Sequence, residues 1–225
     1  MKKLTTLLLI LGACKTQHTA NSVQQATLTP LGEAGTLEHP PIEPPPSPRA
    51  TRRLTVDQLA ASLPIVCGND EKGQPITWTV KSGANQLPAL AEGGLGAILG
   101  KPDFVLATDE PDDASALYVK LMEDMARDVC GKMVTADLAR TDRVLAKFAP
   151  IDTVGDGKAI DQNLRYLSLR FLSHKVADED VEGIAGLRKI YDSVVSSTAK
   201  AGEKSREGWR AVCVGLLTSP EFHVN

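Results

Sequence analysis

The chain reads as an all-α protein, an irregular bundle of six or seven helices with one loop-rich excursion near residues 67–85. Three observations carry that expectation. Apolar residues recur at helical spacing through the second half of the chain, the segments between them are short and rich in Gly, Pro, Asp and Ser, and ITWTV (76–80) is the only stretch that alternates like a strand. The helices fall within residues 51–225, a length suited to one domain with one core, and no internal repeat is visible.

Taken in order, Thr55 and Gln58 have the spacing of a capping box, so a first helix is expected from Val56 to about Ser62, stopping before Pro64. From Cys67 to Lys101 turn residues dominate, with a brief strand at ITWTV and then a short helix over LPALAEGGLGAIL (87–99). In the next segment Leu117, Leu121, Met125 and Val129 repeat every four residues, while Lys120, Glu123, Asp124, Arg127 and Asp128 take the other side, the pattern of an amphipathic helix. Thr135 is a plausible cap for a further helix over ADLARTDRVLAKFA, which stops at Pro150. After the loop DTVGDG, residues Leu164, Leu167, Phe171 and Leu172 mark another helix. Asp178 then caps a run with Val181, Ile184, Leu187, Tyr191 and Val194 in register. The last stripe is Trp209, Val212, Cys213, Leu216 and Leu217, ended by Thr218-Ser219-Pro220.

Residues 1–50 obey different rules. Lys2 and Lys3 precede an apolar segment from Leu4 to Leu11, the basic and hydrophobic regions of a secretory signal. It falls far short of the ~20 apolar residues that span a bilayer. Leu11-Gly12-Ala13-Cys14 resembles the bacterial lipobox. The resemblance implies a signal peptide of residues 1–13, cleavage before Cys14, and attachment of the mature chain through acyl groups on Cys14. Acyl anchoring is stable once two or more chains are buried, at roughly 0.8 kcal/mol per methylene. Lys15 stands where an aspartate would retain a lipoprotein in the inner membrane, so the resemblance implies the outer membrane, facing periplasm or cell surface. Residues 14–50 contain a proline cluster from Pro40 to Pro48 and few large apolar side chains, and are expected to form a disordered tether.

Charge excludes one large class of function. The 28 acidic residues outnumber the 25 basic ones, two of which are Lys2 and Lys3 in the leader, so no basic field is available to neutralise nucleic-acid phosphates.

The opening RRLT (52–55), the segment RYLSLRFLSHKVADEDVEGIAGLRKIYD (165–192) and the closing WRAVCVGLLTSPEF (209–222) together resemble uncharacterised helical domains associated with planctomycete-type cytochrome c proteins. The resemblance implies export, an all-helical fold and a neighbourhood of redox or polymer-degrading systems. It brings no catalytic residues with it. Covalent haem needs Cys-x-x-Cys-His, and no such arrangement is present, so no haem c is expected and no other cofactor is indicated.

Three cysteines remain once Cys14 is acylated. Cys213 lies in the last apolar stripe and reads as a buried, inert thiol. Cys67 follows the first helix and Cys130 ends the long one, which leaves them free to meet and makes them the candidate disulfide, other pairings or none remaining open. No cysteine has a basic neighbour that would mark a nucleophile. His18, His39, His174 and His223 form no paired zinc motif, and His174 reads as a dipole partner at a helix end. Asp152 and Asp156 give DTVGDG a faint likeness to a calcium loop. Val154 and Asn163 occupy positions that should carry oxygen ligands and a bidentate Glu, so an interhelical turn is the simpler reading and no metal is expected. The acidic run 109–113 reads as a helix entry. Glu92-Gly-Gly-Leu-Gly96 lacks the Lys-Ser/Thr of a phosphate loop, and no Ser elbow or His-Glu metalloprotease motif occurs.

The sequence therefore favours a lipid-anchored binding or scaffolding module over an enzyme, with the membrane and an exported protein as partners. An accessory subunit of an exported redox or degradative complex is the alternative. An enzyme built from dispersed acidic residues and Arg52, Arg53, Arg165 or Arg170 is a third possibility.

Overall fold

A computed structural model describes residues 53–91, 94–102, 111 and 114–224. The leader, Cys14, the tether, Arg52, and the acidic residues Asp109, Glu110, Asp112 and Asp113 lie outside the described residues. The described chain is mainly helical. Its elements are α1 (Val56–Cys67), β1 (Thr79–Ser82), β2 (Asn85–Pro88), α2 (Ala116–Ala139), α3 (Gly157–Leu172), α4 (Glu182–Ser197), α5 (Lys204–Leu217) and α6 (Pro220–His223), with a 3-10 turn at Ala201–Glu203 before α5.

The capping box forms as expected. Thr55 Oγ1 accepts from Gln58 N–H at 3.1 Å, and Gln58 Oε1 accepts from Thr55 N–H at 2.9 Å. The helix does not stop before Pro64, however, but runs on to Cys67. A proline in a helix interior forfeits one hydrogen bond and usually kinks or ends the helix. Here Leu59, Leu63 and Cys67 continue one buried face, and Arg170 donates to the last-turn carbonyls of Ile65 (3.0 Å) and Val66 (2.6 Å). A cation on exposed helix-terminal carbonyls supplies the partners that the chain itself lacks there.

The excursion folds into a two-stranded antiparallel hairpin, with Thr79 opposite Pro88 and Ser82 opposite Asn85. Gly83 has φ +61° while Ala84 keeps a negative φ, the signature of a II′ turn that only glycine enters cheaply. The strand begins later than ITWTV suggested, but the alternation has a physical basis: Ile76 and Trp78 both enter the core. The helix expected over 87–99 is absent from the described residues. β2 takes Leu87 and Pro88, and residues 94–100 form turns, because glycine costs about 1 kcal/mol per residue in a helix and Gly94, Gly96 and Gly100 cluster here.

Of the expected stripe in α2, Met125 and Val129 are in the core and Leu121 packs against it, but the first turn is rotated away. Leu117 is 52% exposed. The core side is Tyr118, Met122, Met125, Ala126, Val129, Cys130 and Met133, one residue round the helix from where Leu117 and Leu121 would place it. Nor does a new helix begin at Thr135, which lies within α2 and donates to Gly131 O. Residues 140–150 are irregular and are organised by one buried carboxylate. Asp137 accepts backbone N–H groups from Val144, Leu145 and Ala146 at 2.7–2.8 Å. These bonds satisfy donors that a helix would have used internally.

α5 contacts α2, α3, α4 and α6, with α4 and α2 its most extensive partners. Its expected stripe is buried throughout. Each such aliphatic side chain contributes roughly 1.5–3 kcal/mol. Against α5, Tyr191 of α4 packs on Trp209 with ring centroids 4.4 Å apart. α4 is not capped by Asp178; Asp180 accepts from Gly183 N–H at 2.9 Å instead.

The disulfide joins Cys130 to Cys213, with Cα atoms 5.8 Å apart, and does not involve Cys67. Both partners lie on the facing buried stripes of α2 and α5, whereas α1 meets α2 over a much smaller contact. Cys213 is thus a cross-link and not an inert thiol. Cys67 is the free, buried one.

Candidate functional site

Among the described residues, most of the ionisable groups that the sequence put forward for chemistry have structural partners. Arg165 donates to the carbonyls of Ala177 (3.0 Å) and Asp178 (2.7 Å), fastening the α3–α4 connection. Arg170 holds the end of α1. Asp156 caps α3 by accepting from Ala159 N–H at 2.8 Å, while Asp152 is exposed. Asn163, where a calcium loop would carry its glutamate, is wholly buried and bonds Leu145 O and Phe148 N–H. DTVGDG is accordingly an interhelical turn. Among the described residues, no group of three or more His, Cys, Asp or Glu is placed to hold a metal ion. No helix among them is long and apolar enough to cross a membrane.

Burial acts on the groups that remain. It pushes the Cys67 thiol up to about 12, with Arg170 pulling weakly the other way, so that cysteine is not a nucleophile at ordinary pH. It also pushes the Asp137 carboxyl above its ordinary value, against the three N–H bonds and Arg143 that favour its charge.

Two concavities compete as the site. One, of about 720 Å³, lies between the hairpin and α2. Its centre is Lys132, whose ammonium donates to Thr77 O, Thr79 Oγ1 and Asp128 Oδ2 at 2.6–2.9 Å. An ammonium has three protons: two fix the Thr77–Thr79 segment to α2 and the third goes to Asp128 one turn away on α2 itself. This cleft is built from structural staples.

The other is a groove of about 590 Å³ between the first half of α2 and the end of the chain. Its walls are mostly apolar, with Val119, Met122 and Val214 prominent, and its polar groups are Arg53, Tyr118, Glu123, Thr218 and His223. A concave apolar surface with a few convergent polar groups is the usual form of a binding site. Folding brings these groups together from opposite ends of the sequence. Leu54 N–H donates to His223 O at 2.7 Å, and Arg53 bridges to Val224 in antiparallel fashion. Arg53-Leu54, within the RLT segment, and His223-Val224, which follow SPEF, therefore close on each other at the groove.

The polar floor is ordered. Arg53 donates to the carbonyls of Pro111 (2.5 Å) and Leu99 (2.7 Å), and its guanidinium lies 4.7 Å from the centre of the Tyr118 ring, a cation–π contact. His223 Nε2 is 2.6 Å from Leu217 O. A carbonyl can only accept, so Nε2 carries the proton, and in the neutral ring Nδ1 is left as an acceptor. The Tyr118 hydroxyl, 3.3 Å from Nδ1, is then the donor. Burial lowers the pKa of His223, and the bond to Leu217 O partly opposes the shift.

Sequence reasoning missed Tyr118 and gave His223 no role. The available signal was the Tyr118, Met122, Met125, Val129 spacing, which competes with the Leu117 register and differs from it by one residue.

Compared with known proteins, the chain matches no family model, no curated protein and no solved structure.

Proposed function

We propose that this is a lipid-anchored cell-envelope protein whose helical part, a bundle centred on α5, is a non-catalytic module that binds or scaffolds another exported protein. In this reading residues 1–13 are removed, Cys14 carries the acyl anchor in the outer membrane, and residues 14–50 hold the helical part off the surface. The observation that carries it is the apolar groove at the meeting point of Arg53 and His223. It offers a surface for capture, while Arg53, Arg165 and Arg170 are tied to backbone carbonyls. A disulfide buried between α2 and α5 is in keeping with an oxidising compartment.

The alternative, an accessory subunit of an exported redox or degradative complex, rests on the resemblance of RRLT, the 165–192 segment and SPEF to cytochrome-associated helical domains. It specifies the partner rather than a different surface.

Anchoring is tested by growth with labelled palmitate. Label is expected in the native chain and absent from Cys14→Ser, which should also leave the membrane fraction. Binding is tested with a photocrosslinking residue at Val119, 59% exposed on the groove rim, against the same residue at exposed Lys175. One discrete adduct from position 119 alone is expected. Equal adducts from both positions, or none, would sink the binding reading.

A further inference from the structure

His223 bonds three parts of the chain, two of them distant from it in sequence. Its ring bonds the end of α5 through Leu217 O and faces α2 through the Tyr118 hydroxyl, and its carbonyl accepts from Leu54 N–H at the start of the fold. Two ring contacts complete the setting: Tyr118 meets it edge-on with centroids 5.8 Å apart, and Phe222 does so at 5.3 Å. Only 9% of the residue is exposed. An imidazole that is enclosed in this way, with both nitrogens engaged, is costly to charge, and charging it makes Nδ1 and the Tyr118 hydroxyl exchange donor and acceptor roles.

We propose that His223 is a pH-sensitive latch on the groove: the neutral ring holds the chain terminus between α2 and α5, and protonation under mildly acidic conditions releases it. On protonation Nε2–H still donates to Leu217 O. Nδ1 gains a proton and becomes a second donor, so the Tyr118 hydroxyl, until then a donor to it, must turn its own proton elsewhere. The new positive charge also appears where solvent reaches poorly, which favours any arrangement that exposes the ring. The charged and titratable groups facing it from the described elements are Arg53 on the opening segment and Tyr118 and Glu123 on α2, with Glu221 on its own helix; α5 presents Val214, Leu217 and Thr218 and no charge. Release frees the Leu54–His223 and Arg53–Val224 pairings together, because all pass through the same terminal residues.

The sign follows from linkage. The closed state has the lower affinity for the proton, so its advantage is complete above the ordinary histidine value of 6.5. It is lost as pH falls from there through the native value. The latch regulates the groove assigned to partner capture above and, for its consequence on capture, rests on that reading.

The test uses the full chain in mild detergent. Hydrogen exchange of the Leu54 amide is followed from pH 7.5 to 5.0 with intrinsic rates divided out. Its protection factor is expected to fall by about tenfold for each unit by which the His223 pKa is depressed, and to stay level in His223→Gln, whose amide can still donate to Leu217 O. If that variant does not fold, the native protein suffices: NMR of the histidine Cε1 signals, assigned with His174→Gln, should place His223 below 6.5. Tyr118→Phe should move it upward by removing the donor that favours the neutral ring. Titration at or above 6.5, or the same pH response in native protein and His223→Gln, overturns the latch. Crosslinking at Val119 lost at every pH would strike the capture reading alone; crosslinking retained with no change in Leu54 protection would strike the latch alone.

Discussion

Cys130 of α2 and Cys213 of α5 are covalently joined across a sequence separation of 83 residues, at a point where neither side chain is exposed. The bond closes a long loop that contains α3 and α4, and loop closure of this length removes much of the freedom of the unfolded chain. Cys130→Ser is therefore expected to cost about 3–5 kcal/mol in urea denaturation, and reductant should destabilise the native protein by a similar amount. Cys67→Ala should cost only about 1 kcal/mol. Non-reducing peptide mapping that linked Cys67 to either partner would contradict the assignment.

Cys67 makes a contrasting prediction. With its thiol pushed up to about 12, the thiolate at pH 8 is about one part in ten thousand, and the sulfur is covered as well. A maleimide reagent should leave native protein unlabelled over a time in which it labels the protein fully in denaturant. Rapid labelling of folded protein at residue 67 would show that α1 is not seated as described.

Asp137 is irreplaceable by its nearest isostere. Its Oδ1 accepts from Val144 N–H and its Oδ2 from both Leu145 and Ala146. Asp137→Asn substitutes a donor for one of those acceptors, so that an NH2 group faces an N–H. The expected loss is about 1–3 kcal/mol, with faster hydrogen exchange at residues 144–146 in particular. Uniform acceleration across the whole domain would mean that Asp137 supports global stability and does not organise that loop.

Gly208 tests the α4–α5 contact. A Cβ there would sit 2.8 Å from Cδ2 and Cε2 of Tyr191. That ring cannot easily withdraw, since it packs on Trp209 and its hydroxyl lies 3.3 Å from Ser205 Oγ, which itself donates to Pro150 O. Gly208→Ala should cost about 1–3 kcal/mol despite its better helix propensity. Gly186→Ala, where a Cβ meets nothing within 4 Å, should be neutral or stabilising.

Much of the helical framework was legible because its signals are local. The capping box at Thr55, the stripe of α5 and the apolar face of α3 at Leu164, Leu167 and Phe171 depend on residues within a few turns of one another. What escaped depends on contacts across the chain. Pro64 looks like a stop until Arg170, 106 positions away, supplies partners for the carbonyls on either side of Val66's peptide. ADLARTDRVLAKFA has enough helical spacing to deceive, because nothing local reveals that Asp137 turns inward. The Leu117 register fits the α2 sequence about as well as the Tyr118 register does; α5 and the chain terminus decide between them. The disulfide needs the buried stripes of α2 and α5 to face each other, and nothing local to either stripe says that they do, so Cys213 reads from sequence as a buried thiol. For the groove, the sequence displayed both halves, RRLT and SPEF, without any indication that they adjoin.

The closure of those two ends also determines how the protein bears a load. A pull transmitted along the chain from its N-terminal side enters the fold at Arg53 and Leu54. The first bonds under strain are those to Leu99 O, Pro111 O and His223 O. The disulfide and the α4–α5 packing lie further along the chain, so a pull from that side reaches the groove corner before it reaches them.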